Sequence, residues 1–385
     1  MERGLKYKVA VIGGGPAGCF CAYNLRDICN VTVFESKSPL ATLLVTGGGR
    51  CNLAYAEYDF RELAKNYPRG EKFLYSVFSR FSTLQTLEFF NSIGVETYVQ
   101  DDLRIFPVSN SAVDVRNKFL DSMHGIKFKE QKVIDIIEDV KGFTVKTTRE
   151  EHKFDKIVIA VGGHAGFELA EHLGHKIVPP RPALAGLKSK ENFTELSGVC
   201  FKNVSAIFGK KQILSGDMMF THTGITGPLV YKISSIMARE NFPYNINLDF
   251  TGEIDLQSEL NNNPHKSIKN LLADYVPKSL SEFILEKLHI NPDEKAHSID
   301  GKTRDRILNY LNNFEITVCG TRPDGEVVTA GGVDLREINS KTMESQVVSG
   351  VYFCGEVIDV DGFCGGFNLQ NCWSTAYVAA AGVMQ

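Results

Sequence analysis

A glycine-rich turn near the start of the chain has the residue types and the spacing needed to bind a pyrophosphate. The turn contains three glycines: Gly13, Gly15 and Gly18. It follows a short apolar run, Lys8 to Ile12, which predicts a strand, and precedes Cys19 to Arg26, which predicts a helix. In this setting the glycines permit a tight turn, let phosphate approach the backbone and allow close helix–strand packing. The start of the predicted helix adds N–H donors and a partial positive charge, and Pro16 and Ala17 lie in the turn before it.

An acidic residue follows at the distance expected of a dinucleotide site. Glu35 lies 22 residues after Gly13, at the end of a second predicted strand, Val31 to Phe34. A carboxylate there can accept hydrogen bonds from the adenosine ribose, and it repels a 2′-phosphate. The alternative is an ordinary strand–helix turn with a surface glutamate. The motif by itself does not separate NAD from FAD.

A second glycine cluster, T-G-G-G-R-C-N, runs from Thr46 to Asn52. Consecutive glycines such as Gly48 and Gly49 are poor helix or strand formers, so they indicate backbone freedom or close approach to a ligand. Arg50 and Asn52 add hydrogen-bond donors for a phosphate or a flavin carbonyl. A simple flexible loop is the alternative.

A third cluster, Cys354 to Gln370, is again a strand that leads through glycines into a helix. A helix that starts at Gly366 to Asn368 could stabilise negative charge on a reduced flavin. The acidic residues Glu356, Asp359 and Asp361 raise the possibility of a Ca²⁺ loop, but they lack EF-hand spacing and its terminal glutamate. We therefore predict no metal site.

The remaining pattern predicts a nucleotide-binding domain split by an insertion. Val133 to Val140 and Phe143 to Thr148 alternate like paired strands, and Lys156 to Val161 reads as a buried strand that stops at Gly162-Gly163. Residues 183–252 resemble short strands with glycine turns, as in a small barrel or sandwich. Other predicted elements are helices within Phe73–Phe81, Leu84–Ile93, Ser267–Ile290 (split at Pro277), Arg304–Phe314 and Asn368–Val383, and strands at Glu315–Cys319, Val327–Ala330 and Gly350–Cys354. A proline cluster, Pro179, Pro180 and Pro182, marks the expected domain boundary.

The overall composition excludes several classes of partner. The 385 residues carry a formal net charge of −4, with no basic stripe, so we expect no nucleic-acid or anionic-membrane partner. The start of the chain does not resemble a signal peptide, and no apolar run approaches the roughly 20 residues that span a bilayer. None of the nine cysteines forms a C-x-x-C pair. We expect free thiols in a reducing, cytoplasmic setting.

Together with a fourth segment, Phe220 to Pro228, these clusters resemble the aminoacetone oxidase/BaiN-like (YhiN-type) family of flavoproteins along nearly the whole chain. The resemblance implies an α/β fold in which a Rossmann-like FAD-binding domain is interrupted by an inserted β-barrel and a small helical domain. The expected bounds are 1–182 with 331–385 for the FAD-binding domain, 183–252 with 315–330 for the barrel, and 253–314 for the helices.

The resemblance also assigns cofactor-binding residues. Gly13, Gly15, Gly18 and Glu35 would hold the ADP half of FAD. The residues expected along the pyrophosphate, ribitol and ring are Arg50, Cys51, Asn52, Gly355, Glu356, Gly366 and Asn368. Further candidates are Pro16, Ala17, Gly48, Gly49, Val133, Gly162, Asp361, Phe367 and Leu369. Arg104 to Pro107 matches another family segment, although Leu103 stands where glycine is usual. The chain also departs from the family at Ala41–Leu44, Leu53-Ala54 and Asn371-Cys372, which weakens inference about the substrate.

We expect an FAD-dependent oxidoreductase that transfers a hydride between a small organic substrate and flavin N5. NAD(P)H is a possible transient donor, although no second glycine fingerprint is present, since His164 follows Gly162-Gly163. His222 is the acid/base candidate, with a structural histidine as the alternative. Arg50 and Arg104 could bind a substrate carboxylate, FAD phosphate or a surface acid.

Three functions stay open on the sequence alone. They are an oxygen-using oxidase of a small amine, an NAD(P)H-dependent reductase of an activated C=C or C=O bond, and a non-catalytic or RNA-directed flavin-binding module. The sequence does not indicate the oligomeric state.

Overall fold

The computed structural model describes residues 6–252, 254–322 and 328–385. The described residues pack into two compact units, the first within Met1–Arg181 and Thr329–Gln385 and the second within Pro182–Val328. Two sequence-based boundaries fall outside the described residues: position 253, where the helical insert was expected to begin, and Val327, where a strand was expected to begin. The finer division into three domains stays a prediction.

Strands and helices are numbered here in chain order. Up to the end of the first unit's amino-terminal part they are β1 (Lys8–Ile12), α1 (Pro16–Leu25), β2 (Asn30–Glu35), β3 (Ala54–Tyr55), α2 (Phe60–Ala64), α3 (Glu71–Phe78), α4 (Thr83–Ser92), β4 (Thr97–Val99), β5 (Arg104–Pro107), α5 (Ala112–Asp121), β6 (Lys127–Glu130), β7 (Val133–Asp139), β8 (Gly142–Thr147), β9 (Glu151–Phe154), β10 (Lys156–Ile159), α6 (His164–His172) and β11 (Ile177–Ala183). Those that follow are β12 (Leu187–Ser189), β13 (Cys200–Phe208), β14 (Gln212–Thr221), β15 (Gly224–Thr226), α7 (Pro228–Ile236), β16 (Tyr244–Asp249), α8 (Leu256–Asn262), α9 (Ile268–Leu272), α10 (Lys278–Lys287), α11 (Gly301–Asn312), β17 (Phe314–Thr321), β18 (Val328–Val333), β19 (Val351–Phe353) and α12 (Phe367–Val383).

The first unit is built on a five-stranded sheet in the order β19-β10-β1-β2-β6, and every pairing in it is parallel. Val9 pairs with Val31 on one side and with Lys156 on the other, which places β1 at the centre. The central strands are apolar along their length because both faces of a parallel sheet are covered. This confirms the predicted Rossmann-like fold.

Helix α1 lies very close to the turn that precedes it. A Cβ atom on Gly18 would stand 1.8 Å from the carbonyl oxygen of Gly13, so only glycine fits there. The helix starts at Pro16, earlier than the Cys19 expected from the sequence, because proline is well accommodated in the first turn. On its other side, α1 packs against α12.

Two smaller sheets complete this part of the first unit. Strands β7, β8 and β9 form an antiparallel sheet, as the alternation of residues 133–148 predicted for its first two strands. Strands β3, β5 and β4 form a second one, which the sequence did not indicate.

The predicted boundary prolines lie in a strand, not in a loop. Pro179, Pro180 and Pro182 are part of β11, which pairs with β18 in a two-stranded sheet. Proline is tolerated there because each strand of such a pair has an edge that needs no donors. The division between the two units nevertheless falls beside Pro182.

The second unit contains a closed barrel in the order β12-β15-β14-β13-β16-β17. The barrel, not the sandwich that the sequence also allowed, is therefore correct. Helix α7 interrupts the predicted all-β segment, and Pro228 starts it while Leu229 and Ile233 face the core. Pro277 caps α10 and separates it from α9, as predicted. Among the described residues, no helix combines the length and the apolar character needed to cross a membrane.

The contact at Gly18 makes a prediction about stability. Gly18→Ala should destabilise the apoprotein by roughly 1–3 kcal/mol or more, because the added methyl group collides with backbone that cannot move aside as a side chain would. Thermal and urea unfolding of apoprotein measure this. The matched control is Gly15→Ala, since no atom lies within 4 Å of the corresponding Cβ position. Equal stability of the two variants would contradict the packing described here.

Candidate flavin site

The amino end of α1 is open and uncapped. Gly15 precedes the helix, no side chain caps it, and its first turn holds no acidic residue. A Cβ atom on Gly15 would have no protein atom within 4 Å of it apart from its chain neighbours, so the space beside this residue is open. Because the first N–H groups of a helix lack partners within the helix, this end can donate to a phosphate. The geometry fits the pyrophosphate of a dinucleotide.

Glu35 is held at the end of β2 beside the same turn. Its Oε2 accepts a hydrogen bond of 2.7 Å from the backbone N–H of Gly14, and its Oε1 accepts one of 2.8 Å from Lys37. A small cavity of about 60 Å³ adjoins it. The residues that line the cavity include Gly13, Glu35, Val133, Val161 and Ala165. This is where the predicted residues Glu35 and Val133 come together, and the cavity suits part of an adenosine.

The T-G-G-G-R-C-N segment ends a kinked stretch of 3₁₀ helix, Ala41–Gly49. Gly48 and Gly49 are exposed and adopt positive φ angles of 66° and 81°. Cys51 is buried, and burial raises the pKa of its thiol to about 12, although a hydrogen bond with Thr46 opposes the shift. Cys51 is therefore a packed thiol and not a nucleophile.

Asn52 joins this segment to two others. The amide orientation that satisfies its neighbours has the nitrogen donating to the carbonyl oxygens of Ala54 (3.0 Å) and Ile105 (3.2 Å). Its oxygen then accepts a hydrogen bond of 3.0 Å from the N–H of Gly366. Gly366 has a φ angle of 97°, and a Cβ atom there would lie 2.5 Å from the carbonyl oxygen of Ala54. The second and third sequence clusters therefore meet at one point.

Residues 359–366, here called the α12 lead-in loop, are braced by the segment between α2 and α3. Asp361 is completely buried and forms an ion pair with Arg69 through both carboxylate oxygens. Tyr67 donates from its hydroxyl to the carbonyl oxygen of Phe367 (2.6 Å), and the N–H of Phe363 donates to Asn66. The loop therefore delivers the chain to α12 in one fixed conformation.

The start of α12 is uncapped, like that of α1. Gly366 precedes it without a side-chain cap, and the first turn has no acidic residue. The amide of Asn368 is used within the protein, since it bonds to both the N–H (2.8 Å) and the carbonyl (3.0 Å) of Gly362. Phe367 is buried against Tyr55, with ring centroids 4.7 Å apart, and Leu369 is half-buried.

The segment after β19 approaches α1 from the other side. The N–H of Gly355 donates to Thr375 of α12 (2.9 Å), and a Cβ on Gly355 would lie 2.6 Å from that of Ala17. Glu356 is exposed and lies next to Gly162. A Cβ atom on Gly162 would stand 3.3 Å from the Cβ of Glu356. Burial raises the pKa of Cys372. A hydrogen bond with the thiol of Cys21, together with burial, raises the pKa of Cys354. Both thiols are free and buried, which favours a packing role.

The structure thus separates the predicted cofactor residues into two groups. The glycines of the first turn and of the second and third clusters could meet a ligand only through their backbone N–H and carbonyl groups. By contrast, five predicted residues have side chains that are buried or bonded within the protein: Cys51, Asn52, Asp361, Phe367 and Asn368. Direct contact of any of these residues with FAD stays a prediction. Tyr67 and Arg69 were missed, because neither lies in a recognisable motif.

His222 belongs to the second unit. It lies in the turn between β14 and β15, where it is exposed, and its Nδ1 lies 3.2 Å from the hydroxyl of Ser197. Its catalytic role stays a prediction. Among residues 6–252, 254–322 and 328–385, no group of three or more His, Cys, Asp or Glu side chains is arranged to hold a metal ion.

Comparison with known proteins decides the family. The model of the HI0933-like protein Rossmann domain matches residues 7–382. The chain belongs to the HI0933-like family. It is therefore an FAD-dependent oxidoreductase by membership, and the resemblance inferred from its motifs is confirmed.

Full-length relatives carry two different names. The chain is 28% identical to the ribosomal RNA dihydrouridine synthase of Escherichia coli, over 99% of this chain and 98% of that protein. It is 30% identical to the 3-dehydro-bile acid delta(4,6)-reductase of Clostridium scindens, over 97% of this chain and 98% of that one. Among solved structures, an open flavocytochrome c3 fumarate reductase superposes with a TM-score of 0.50 at 12% identity, covering 99% of this chain and 78% of the other. That likeness concerns the fold alone.

FAD fits the residues of the first unit. The open space at Gly15 and the uncapped α1 suit its pyrophosphate, Glu35 and the cavity beside it suit its adenosine, and the uncapped α12 suits its ring. When bound, FAD supplies a two-electron hydride carrier.

The space beside Gly15 makes a prediction about binding. Gly15→Ala should keep the apoprotein's unfolding temperature and weaken FAD binding by roughly 10-fold or more, because the methyl group occupies the approach of the pyrophosphate to the helix end. Titration of apoprotein with FAD, followed by flavin fluorescence, measures it. Wild-type FAD affinity in this variant would show that the phosphates bind elsewhere.

Proposed function

We propose that this enzyme reduces a carbon–carbon double bond conjugated to a carbonyl group. The named activities of its relatives support one shared reaction class. A dihydrouridine is a uridine whose ring double bond, conjugated to a carbonyl, has been saturated. A delta(4,6)-reductase of a 3-dehydro-bile acid acts on double bonds that are conjugated to a ketone. Two different substrates therefore point to the same chemistry.

The feature of this chain that carries the proposal is the rigid, uncapped start of α12. Asn52, Tyr67 and the Arg69–Asp361 pair hold it in place. The partial positive charge of such a helix end stabilises negative charge that develops on a reduced flavin ring. If FAD is bound with its ring at this helix end, the end would favour the transfer of a hydride to the flavin from any donor. The choice of a reductase over an oxidase comes from the named relatives.

The electrons balance with NAD(P)H as the donor, which is also a proposal. The nicotinamide gives up a hydride and becomes NAD(P)⁺. The substrate gains a hydride at the carbon β to its carbonyl and a proton at the α carbon, and its double bond becomes single. His222 is our proposed proton donor, since its imidazole is exposed and Nε2 has no hydrogen-bond partner among the residues that the structure describes.

For the substrate we propose first a small conjugated carbonyl compound, without a nucleic-acid or membrane partner. The net charge of −4 supports this choice. Uridine in ribosomal RNA is the second candidate, and the relatives from E. coli and Haemophilus influenzae that are named for ribosomal RNA, at 28% and 29% identity, favour it. A cytoplasmic location remains part of the same proposal.

An anaerobic absorbance titration tests the reaction class. We expect NADH or NADPH to bleach the flavin band near roughly 450 nm, and a conjugated ketone to restore it, whereas its saturated counterpart should not. His222→Gln should keep the bleaching and slow the restoration by about 100-fold or more. A uridine-containing ribosomal RNA fragment, assayed in parallel for dihydrouridine, tests the second candidate.

Other outcomes would redirect the proposal. Bleaching by a small amine alone, reversed by air with formation of H₂O₂, would identify an oxidase instead. A flavin that no nicotinamide, amine or other donor reduces would leave only a non-catalytic flavin-binding module.

A further inference from the structure

Two arginines of the first unit pack against one buried aromatic ring. The guanidinium carbon of Arg50 lies 4.2 Å from the centroid of the Phe106 ring, and that of Arg104 lies 5.6 Å from it. Phe106 itself is fully buried, and both arginines are half-buried. A guanidinium over a ring face makes a cation–π contact that uses none of its N–H donors, which leaves those donors available to an anion.

The two charges are compensated to different degrees. Arg104 donates through Nε (2.7 Å) to Asp102, and its Nη2 lies 2.7 Å from the same carboxylate oxygen. This pairing lowers the pKa of Asp102. Arg50 forms no ion pair with any residue that the structure describes, and its Nε makes only a long bond of 3.4 Å to the carbonyl oxygen of Gly47. Arg50 therefore carries the uncompensated positive charge of the pair.

The pair belongs to the flavin site. A Cβ on Gly47 would stand 2.9 Å from the Phe106 ring, so the ring packs directly under the glycine run. Ile105, the neighbour of both Arg104 and Phe106, accepts the hydrogen bond from Asn52, which in turn holds Gly366 at the start of α12. Arg104 also lies near Cys364 of the α12 lead-in loop.

We propose that Arg50, assisted by Arg104, binds an anionic group of the substrate, a carboxylate or a phosphate. The inference rests on the proposed function and adds a charge requirement to it. A half-buried guanidinium with free donors is suited to planar, two-point recognition of such groups. Both named substrates of the relatives fit the requirement, since a bile acid has a carboxylate and RNA has phosphodiesters.

Equilibrium binding to the oxidised holoprotein tests the anion site without turnover. Acetate and inorganic phosphate are the probes, and the flavin absorbance band reports their binding. We expect saturable spectral changes with the wild type, and an affinity weakened roughly 10- to 100-fold in Arg50→Met, as for loss of a charge-assisted contact. Arg104→Met should show a smaller loss, and Arg50→Lys an intermediate one.

Arg61→Met is the matched control, because Arg61 also lies over a ring, that of Phe60 at 5.6 Å, but sits on the exposed surface of α2. It should bind the probes like the wild type. All variants should keep their unfolding temperature and FAD content. Unchanged anion affinity in Arg50→Met overturns the proposal. The proposal replaces the cofactor role that the family resemblance implies for Arg50. Loss of FAD from Arg50→Met overturns the proposal and restores that cofactor role.

A turnover comparison separates the inference from the proposed function. Conjugated ketones with and without a carboxylate, and uridine with and without a 5′-phosphate, distinguish the two sources of the anion. We expect the wild type to prefer one anionic member by roughly 10-fold or more, and Arg50→Met to lose that preference. Equal reduction of neutral and anionic members would sink the inference and leave the function standing. No reduction of any member, with anion binding intact, would sink the function alone.

Discussion

Three backbone groups from distant parts of the chain converge on the amide of Asn52. Two are carbonyl oxygens, of Ala54 and Ile105, and the third is the N–H of Gly366. The side chain is almost fully buried, so a backbone group left without a partner there would cost about 1–3 kcal/mol. The carbonyl of Ile105 also accepts from the N–H of Leu53 (2.9 Å), so the N–H of Gly366 is the group that relies most on Asn52. This contact joins the second glycine cluster, strand β5 and the start of α12. The position of the start of α12 depends on this contact. The partial positive charge that this helix end would direct at a flavin depends on it in turn.

The rest of the first unit reinforces that junction. The buried Arg69–Asp361 pair, together with the hydroxyl of Tyr67, fixes the α12 lead-in loop from the opposite side. A buried ion pair adds little net stability, but removing one partner leaves an uncompensated charge, so it enforces a single conformation. The close contact of Gly18 with Gly13 places α1 in an equally defined position on the sheet. Two uncapped helix ends are thereby held on one scaffold, which is the preorganisation that electrostatic stabilisation of a flavin requires.

The sequence predicted the elements whose signals are local. The parallel strands are continuous apolar runs, the glycine turn has its expected context, and Pro277 separates two helices as proline should. Short strands and glycine turns predicted a barrel or a sandwich, and the family resemblance implied that the insert is a barrel. The motifs also named Asn52, Gly366 and Asp361 as ligand contacts, which stays a prediction. They did not indicate that the side chains of Asn52 and Asp361 support the backbone internally.

What the sequence did not reveal depends on contacts between distant residues. Strands β3, β4 and β5 have only two to four residues each, too few for a periodic signal. Helix α7 was hidden by the glycines and threonines around it. Arg69 and Tyr67 matter because the fold brings them to a loop roughly 300 residues away in the chain. The stacking of Arg50 on Phe106 was likewise unforeseen, since it requires β5 to lie beneath the glycine run.

The most direct test of the central claim is an equilibrium titration of the apoprotein with FAD, for the wild type and for Asn52→Leu. The account predicts about one FAD per chain for the wild type, as for a single dinucleotide-binding fold. It predicts that the variant, still folded by circular dichroism, binds FAD at least roughly 10-fold more weakly, because the start of α12 is released. An absence of FAD binding by the wild type, or unchanged affinity in a folded variant, would contradict the account.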